Sequence, residues 1–448
     1  MKMPSVSLLI LLLATPLSLA DDWPQWMGPK RDGIWRETGL LKSFPESGPK
    51  VKWRVPVRSG YAGPAVAGGR IFMMDWKTEA KPKEGGMPKL PGTERVVCFN
   101  EADGKLLWQH EYEATYKISY PNGPRTTPLV EEDRVYTLGA MGKLLCLNSK
   151  NGDVIWSKDL MKEYKISDPL VWGWSAHPMI DGDKLICLVG GKNAGVVAFD
   201  KKSGKELWRS LNAKEICYAP PVVHQKGDLR QLIVWYDVAV AGMNIQTGEI
   251  LWTVPFPENG NPQRPAVAIS HPRVFGDHVF VSQFYDGAMV LKLTFDPPDA
   301  DVVWISPKDT GNHKDTINIL MAPAIVVDEH IYGMAGNGEL RCLKALTGEV
   351  VWRTPGPTGK RPALFATTFI IPNEDRYFMF NDQGELILAE LSPKGYEEKS
   401  RFKLLEATSF ARGRDIVWSH PAFANKRMYA RNDKEVICVE LSNGSENN

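Results

Sequence analysis

The stretch Cys146–Trp156, with the sequence CLNSKNGDVIW, decides the fold because related stretches recur along the chain. The copies are Cys98–Trp108 (CFNEADGKLLW), Ala198–Trp208 (AFDKKSGKELW), Gly242–Trp252 (GMNIQTGEILW) and Cys342–Trp352 (CLKALTGEVVW). Each copy begins with a small residue, has Gly at its seventh position and ends in Trp at its eleventh. A sequence that repeats about every 50 residues indicates a propeller or a solenoid.

Each copy is predicted to be a β-hairpin. The apolar residues before the turn alternate as in a half-buried strand. The Asn or Asp that follows can hydrogen-bond its own backbone two residues on, and Gly supplies the positive φ of the turn. The second strand ends in Trp, which buries about 200 Å² and is large enough to dock one sheet onto the next.

Counting these units predicts an all-β, single eight-bladed β-propeller of four-stranded antiparallel blades over residues 50–448. Seven tryptophans are the predicted docking anchors: Trp53, Trp108, Trp156, Trp208, Trp252, Trp304 and Trp352. The seventh unit is degenerate, and Phe402 is predicted to replace Trp there. The eighth unit lacks a final strand, which residues 50–57 would supply, so that the N-terminal strand closes the ring. An open solenoid is the structural alternative.

The beginning of the chain predicts export. Residues 1–20 have the positive start, short apolar core and small-x-small site of a cleaved signal peptide, with the cut after Ala20. The residue after this cut is Asp21 rather than Cys, which does not favour a lipid anchor; an uncleaved membrane anchor is the alternative. The mature protein is expected in the periplasm or outside the cell. Residues 21–49, rich in Trp, Pro and Gly, are predicted to be irregular and packed by their own aromatic side chains.

Composition restricts the possible partners. The 448 residues carry a net charge of +1, which gives no case for a nucleic-acid partner or an anionic membrane surface. Six cysteines in an exported chain suggest disulfides. However, Cys98, Cys146, Cys342 and Cys438 occupy the same small-residue position in different units, too far apart for a bridge. They are therefore predicted to be free, buried residues beneath a Trp.

The pattern A-x-D-x-x-T-G-x-x-x-W is the docking motif of the pyrroloquinoline quinone (PQQ) repeat propellers, and the stretches quoted above resemble it. The resemblance covers the chain from Trp23 to Gly444. The chain also resembles the outer-membrane assembly protein BamB, whose propeller uses related repeats. The resemblance implies one of two classes. Quinoprotein dehydrogenases hold PQQ and Ca²⁺ in the central funnel, with an adjacent-cysteine disulfide, a calcium-binding Glu and Asn, and a catalytic Asp. The second class has lost the cofactor and works as a scaffold.

No catalytic or calcium-binding residue of this chain matches the dehydrogenase pattern by position, and no adjacent cysteine pair occurs. The sequence therefore predicts an exported, monomeric, non-catalytic binding or scaffold propeller without a cofactor, which presents its funnel and loops to a protein partner or small ligand. The alternatives are a dehydrogenase that uses PQQ and Ca²⁺ to oxidise an alcohol or sugar, and a polysaccharide-binding propeller.

Residues just before each opening strand are expected to line one mouth of the central channel. An aromatic, His-rich and Arg-rich mouth suits an anionic or planar ligand or an acidic peptide. The candidates are Arg125, Trp172, Trp174, His177, Tyr218, Arg264, His271, Arg414, Asp415, Trp418 and His420, together with Tyr120, Asn318 and Arg361.

Each candidate also has a structural interpretation. His177, His271 and His420 share one position of the repeat and could bind a metal, or each could hydrogen-bond a neighbouring blade. The arginines could form salt bridges between blades, and Trp172 and Trp174 could serve packing alone. Residues 76–94 form an insertion that is either a surface loop or a lid over the funnel.

Overall fold

The computed structural model describes residues 21–80, 87–258, 260–262, 264–306 and 316–444. The signal peptide predicted at residues 1–20 lies outside the described residues. Within them the chain forms eight four-stranded antiparallel sheets, arranged as the blades of a propeller, and one separate two-stranded hairpin. The prediction of a single eight-bladed all-β propeller is confirmed.

The four strands of each blade follow one another from the central channel outward. Blade 1 has β2 (Ala65–Ala67), β3 (Arg70–Lys77), β4 (Thr93–Asn100) and β5 (Leu106–Glu113). Blade 2 has β6 (Leu129–Glu131), β7 (Arg134–Leu138), β8 (Lys143–Asn148) and β9 (Val154–Asp159). Blade 3 has β10 (Met179–Asp181), β11 (Lys184–Leu188), β12 (Val196–Asp200) and β13 (Glu206–Ser210). Blade 4 has β14 (Val222–Lys226), β15 (Leu229–Tyr236), β16 (Ala239–Asn244) and β17 (Ile250–Pro255).

The remaining blades have the same arrangement. Blade 5 has β18 (Arg273–Phe275), β19 (His278–Gln283), β20 (Gly287–Phe295) and β21 (Pro298–Ile305). Blade 6 has β22 (Ile325–Val327), β23 (His330–Met334), β24 (Leu340–Lys344) and β25 (Val350–Thr354). Blade 7 has β26 (Thr368–Asn373), β27 (Arg376–Asn381), β28 (Glu385–Ser392) and β29 (Gly395–Lys403). Blade 8 has β32 (Ala422–Ala424), β33 (Arg427–Arg431), β34 (Glu435–Glu440) and β1 (Val51–Pro56).

Three short elements lie outside the blades. They are the helix α1 (Leu160–Glu163), a 3₁₀ helix (Gly356–Thr358) and the hairpin formed by β30 (Ser409–Ala411) and β31 (Arg414–Ile416). The hairpin lies in the connection between blades 7 and 8.

The ring is closed by pairing the two ends of the chain. Strand β1 pairs antiparallel with β34, and Trp53 lies opposite Cys438. Blade 8 therefore has no hairpin turn between its two outer strands, because one strand comes from each end of the chain. This closure leaves no blade without a neighbour.

The repeated Trp docks each blade onto the next one. In blade 1, Trp108 lies directly opposite Cys98 in the strand register, and the small side chain leaves room for the indole. The Trp108 Nε1 donates to the Ser149 carbonyl of blade 2 at 3.0 Å, and the ring packs against Gly152, where φ is +78°. Trp53, Trp156 and Trp304 repeat this contact with a turn of the following blade. A Cβ at position 152 would clash with the Trp108 ring. Glycine is therefore required at this turn by both the backbone conformation and the packing.

All six cysteines are free and buried, as predicted. Cys146 lies opposite Trp156 and Cys342 opposite Trp352 in the same register as the Cys98 pair. Burial raises the pKa of the Cys98 thiol to about 12. These cysteines therefore fill a packing position and remain protonated near neutral pH.

Three blades depart from the docking scheme. Trp208 of blade 3 packs on Gly248 of the next blade, but its Nε1 has no hydrogen-bond partner among the described residues. Trp252 donates instead to the Gln231 side chain of its own blade, because the next outer hairpin turns through Asp296 and Pro297 without a glycine. The prediction that Phe402 replaces Trp in blade 7 needs correction, since Ser400 holds the Trp position of the register and Phe402 lies two residues further on. The two-residue spacing places Phe402 on the same face of the strand.

The N-terminal segment supplies what blade 8 lacks. A Cβ on Gly48, where φ is +80°, would lie 2.3 Å from the Phe402 ring, so this glycine packs on blade 7 as the turn glycines do elsewhere. The Phe44 backbone N–H also donates to the Ser400 hydroxyl. Residues 44–48 thus stand in for the missing turn.

Residues 21–41, which we call the axial segment, cross one end of the central channel. Trp23 bridges to Val66 of blade 1, and the Pro24 carbonyl accepts from Val130 of blade 2. Trp26 and Met27 form one apolar cluster with Ala322 and Phe369 of blades 6 and 7. Further contacts reach the inner strands or their starts in blades 3, 4, 5 and 8. The prediction that the segment packs on its own aromatics needs correction, because Trp35 packs against Phe378 and Phe423 of the blades.

Candidate functional site

The channel opens into a funnel at the end where the inner strands begin. It holds a cavity of about 190 Å³. The lining comes from all eight blades or their connections and from the axial segment. It consists of Trp26, Tyr61, Tyr120, Arg125, Trp172, Ser175, His177, Tyr218, Pro220, Val267, Ile269, Phe284, Tyr285, Leu320, Met321, Phe365, Phe369, Trp418 and His420.

The walls are aromatic and apolar. Trp172 packs edge-on against Tyr218 with ring centroids 5.1 Å apart, and Phe284 packs in the same way against Phe365 at 5.2 Å. Tyr120 meets Trp418 at 5.5 Å. Such edge-to-face contacts fix the rings against one another. The cavity therefore has a largely preformed apolar wall that suits a flat or aliphatic group.

Arg125 is the charged residue of this wall. Its guanidinium donates to the backbone carbonyls of Gly123, Ser119 and Tyr120 at 2.7 to 2.9 Å and lies over the Tyr61 ring, 5.3 Å from the centroid. Burial lowers the pKa of Arg125 from its usual value, but the group stays charged near neutral pH. Within the described residues it forms no ion pair.

The carboxylate of Glu94 is the acidic group that acts on Arg125 through space, but it is held elsewhere. It accepts hydrogen bonds from the Tyr112 and Tyr116 hydroxyls and from the Ala140 backbone N–H. Burial raises the pKa of Glu94, which makes it a weaker counter-charge. The positive charge of Arg125 therefore faces the cavity with neutral partners only.

The floor of the cavity is built from the axial segment and two histidines. The Trp26 indole stacks on His177 with centroids 4.2 Å apart and an interplanar angle of 3°, and it meets His420 edge-on at 4.4 Å. The Thr127 backbone N–H donates to His177 Nδ1 at 2.9 Å, and the Thr127 hydroxyl bonds His420 Nε2. Burial lowers the pKa of His420 to about 3 and that of His177 well below its usual value. The floor is therefore uncharged at neutral pH.

Six of the predicted mouth residues line this cavity: Arg125, Trp172, His177, Tyr218, Trp418 and His420. Tyr120 lines it as well. Of the three predicted histidines, His177 and His420 lie 5.4 Å apart, centroid to centroid. Both bond Thr127 of blade 2: His177 of blade 3 thereby bonds a neighbouring blade, as expected, whereas His420 of blade 8 reaches past blade 1. Within the described part of the chain, no three His, Cys, Asp or Glu side chains are grouped so as to hold a metal.

Five predicted residues do not line the cavity. The prediction that Trp174 lines the mouth is wrong. Trp174 is buried in the core of blades 2 and 3, where it packs on Gly142 and donates to the Val189 carbonyl. Arg264 pairs with Asp237 at 2.7 Å, and Arg414 pairs with Asp382 at 2.6 Å. The remaining two are His271, which is buried just before the inner strand of blade 5, and Asp415, which is exposed in the β30–β31 hairpin.

The two further candidates also lie outside the lining. Asn318 is buried and donates to the Phe284 carbonyl, so that it supports the wall, while Arg361 is exposed. The lid proposed for residues 76–94 stays a prediction, since residues 81–86 are outside the described part. In its described portion, Leu90 bridges to Tyr116, and Trp76 stacks on Tyr116 at 4.2 Å.

Sequence reasoning missed Trp26 and the aromatic residues of two connections. Tyr285 follows β19 and Phe365 precedes β26, so each comes from a loop of the mouth end. Phe365 has a φ of +63°, which a sequence does not reveal for a bulky residue. Trp26 belongs to an irregular segment whose path across the channel no repeat position specifies.

The cavity lining does not fit PQQ with Ca²⁺. Calcium takes oxygen ligands, chiefly carboxylates and amide carbonyls. Among the described residues, the lining contains no Asp, Glu, Asn or Gln side chain, and no adjacent cysteine pair occurs in the sequence. The polar groups present are one guanidinium, two neutral histidines, a serine and several aromatic groups, a set that is unsuited to Ca²⁺.

The fold defines an eight-bladed β-propeller built from PQQ-like repeats. The family model described as outer membrane protein assembly factor BamB matches residues 37–193, 92–354 and 192–447, and the chain belongs to this family.

The family match is supported by an individual relative. The BamB of Yersinia pestis is 27% identical over 224 residues, which are 48% of this chain and 51% of that protein. The chain thus spans about half the length of the curated relative it matches. No helix of the described residues is long and apolar enough to cross a membrane.

Solved structures share the fold. BamB from Moraxella catarrhalis superposes with a TM-score of 0.56 at 14% identity, covering 87% of this chain and 97% of that one. The quinohaemoprotein alcohol dehydrogenase of Comamonas testosteroni gives 0.59 at 11% identity, covering 93% and 80%. At these identities the likeness concerns the fold alone. Both an assembly factor and a dehydrogenase share this architecture, so the choice between them rests on the residues of the funnel.

Proposed function

We propose that the protein is an exported, non-catalytic binding propeller whose funnel receives a ring-bearing acidic group of a partner protein. The observation that carries this proposal is Arg125, a cation set in an aromatic wall without a carboxylate partner among the described residues. A buried guanidinium with neutral partners is stabilised by the charge of a ligand oxyanion and by hydrogen bonds from the N–H groups that its backbone partners leave free. The same anion would neutralise the positive charge of Arg125, which no carboxylate of the described residues pairs with.

The donors around the cavity support an acceptor-bearing ligand. The indole N–H groups of Trp26 and Trp418 are buried, and neither has a hydrogen-bond partner in the described part of the chain. Buried polar groups are nearly always hydrogen-bonded in folded proteins. Two unpaired donors and one unpaired cation in the same lining favour a ligand rich in acceptor oxygens.

The size of the cavity limits what enters it. An apolar cavity of about 150 Å³ in another protein can hold a benzene molecule. The funnel cavity, of about 190 Å³, matches one aromatic or branched aliphatic group with a small polar substituent. The funnel therefore suits one side chain of a partner rather than a long oligosaccharide.

Exposed apolar residues around the mouth favour a protein as the source of this group. Phe410 of the β30–β31 hairpin is 65% exposed, and Leu364 is 43% exposed beside the cavity residue Phe365. Tyr285, itself in the lining, is 39% exposed. Aromatic residues are enriched in protein interfaces, where they act as anchors. The relatives named as assembly factors agree with a protein partner, and we place this interaction in the periplasm or outside the cell.

The dehydrogenase alternative has no support from the lining, and reconstitution tests it directly. The protein is incubated with PQQ and Ca²⁺, and its absorbance spectrum and dye-linked oxidation of alcohols and sugars are measured. We expect neither stoichiometric uptake nor turnover. Stoichiometric uptake with turnover would replace the scaffold function with an enzymatic one.

A pair of small probes tests the proposed ligand chemistry. 3-Phenylpropionate and 3-phenylpropionamide share a ring and shape but differ in charge, and each is titrated while the tryptophan fluorescence is followed. Because Arg125 would pair with the carboxylate alone, we expect the acid to bind at least ten-fold more tightly than the amide. Equal affinities, or no saturable signal from the acid, would contradict the proposed recognition.

A further inference from the structure

A second group of positive charges lies next to the floor of the funnel, where the axial segment meets blades 3, 4 and 5. Arg31 belongs to the axial segment, Arg273 begins the inner strand of blade 5, and His271 precedes it by two residues. Both arginines lie close enough to act electrostatically on His271.

The two arginines have weak neutral partners. Arg31 donates to the carbonyls of Pro178 and Pro221 at 3.1 and 3.4 Å and to the Gln25 side chain at 3.4 Å. Arg273 donates to the Asp32 carbonyl at 2.8 Å and approaches the Met27 sulfur at 3.8 Å. Neither forms an ion pair within the described residues. Burial lowers the pKa of each to about 10, so both remain charged near neutral pH.

The carboxylate nearby is engaged with another residue. Asp32 stabilises the charge on Arg273 through space, but its oxygens bond the Arg36 guanidinium and the Ile34 backbone N–H. Arg31, Arg36 and Arg273 therefore set three positive charges against the one carboxylate of Asp32. Burying like charges together without a counter-charge is unfavourable.

His271 supplies the independent sign of a ligand. It is 3% exposed, and its Nδ1 is buried without a hydrogen-bond partner in the described part of the chain. Burial and the two arginines lower the pKa of His271 well below its usual value, so the ring is neutral and can carry one N–H donor. Arg31 and Arg273 are themselves partly exposed, which gives a small solute access from the solvent.

We propose that Arg31, Arg273 and His271 form a binding site for a small oxyanion that ties the axial segment to the wall of the channel. Two guanidinium groups and one imidazole N–H provide the donors that a phosphate or carboxylate needs. Because Arg31 and the other two residues come from different parts of the chain, a bound oxyanion would join the segment to blade 5. This site lies next to the floor of the funnel, since Arg31 and His271 both act electrostatically on His177, but its three residues do not line the cavity and the proposal does not depend on the proposed function.

Titration with inorganic phosphate tests the site. The melting temperature and the binding heat are measured against phosphate at constant ionic strength, with sulfate, acetate and chloride as separate arms. We expect saturable binding of phosphate and sulfate and a rise in melting temperature. Selective binding of acetate would instead identify a carboxylate-bearing ligand as the occupant, and a response to chloride equal to that of phosphate would contradict an oxyanion site.

Matched variants locate the effect. R31Q and R273Q are each expected to weaken phosphate binding at least ten-fold, whereas K30Q, which removes an exposed charge of the same segment, is expected to bind as the wild type does. H271N, which keeps a side-chain N–H donor, is expected to retain binding and serves where an arginine variant fails to fold. Unchanged binding in R31Q and R273Q, or no saturable binding in the wild type, would overturn the proposal.

Discussion

The rim and the axis of the propeller are built on opposite principles. At the rim, Trp53, Trp108, Trp156 and Trp304 make the same contact with the turn of the next blade. At the axis, equivalent positions of the repeat carry different residues: Gly63, Thr127, His177, Pro220, His271, Ala322, Thr367 and His420. Repetition at the rim holds the blades together, and variation at the axis forms the sites.

The largest expected effect is at the rim. The substitution Trp108→Ala removes a buried indole and its hydrogen bond to Ser149, and should lower the free energy of unfolding by about 3–5 kcal/mol. Chemical denaturation measures it. Leu106→Ala, on the same strand but 50% exposed, is the control and should cost less than about 1 kcal/mol. Similar losses for both variants would refute the docking role.

The difference between rim and axis explains what the sequence could predict. The blade number and the ring closure follow from counting, because each Trp marks one blade and the spare strand around Trp53 marks the joint. The docking itself follows from the small residue and the glycine of each copy. Phe402 does dock on a glycine as predicted, but from two residues beyond the Trp position of the register, and its partner is Gly48 from the N-terminal segment.

The axis could be predicted only in part. Arg125, His177 and His420 follow from the sequence because they precede opening strands, which must begin near the channel. Trp174 fulfils the same rule but turns into the blade core, since its indole finds the Val189 carbonyl there. Trp26 could not be placed at all, because the path of an irregular segment depends on tertiary contacts with the blades.

The buried histidines predict acid sensitivity at the axis. Their pKa values are lowered on folding, that of His420 to about 3, so the unfolded chain binds more protons below about pH 6.5. Above about pH 6.5 the protonation of these histidines does not reduce the free energy of unfolding. As the pH falls below this value, the free energy of unfolding decreases by about 1.4 kcal/mol per pH unit for each histidine.

The variant His420→Gln isolates one of these groups. Between about pH 6.5 and pH 5 the free energy of unfolding of the variant should decrease less than that of the wild type. The difference between the two decreases should be about 2 kcal/mol. Denaturant titrations at several pH values measure both slopes. Parallel pH profiles would show that His420 is not held neutral by the fold.

A smaller effect tests the joint between rim and N-terminal segment. Gly48→Ala places a Cβ against the Phe402 ring at a φ of +80°, and should destabilise the protein by about 2 kcal/mol. Gly68→Ala, at a φ of +57° with open space around it, should cost about 1 kcal/mol from backbone strain alone. Thermal melts compare the two. Equal destabilisation would indicate that Gly48 does not dock on blade 7.

The most direct test of the division between rim and axis is Arg125→Gln, measured for both binding and stability. Glutamine keeps a side-chain donor for the neighbouring carbonyls, and the guanidinium's burial offsets its neutral hydrogen bonds, so the free energy of unfolding should change by less than about 1 kcal/mol. Binding of 3-phenylpropionate should weaken at least ten-fold, to the level of the amide. A variant that binds the acid as the wild type does would contradict the account.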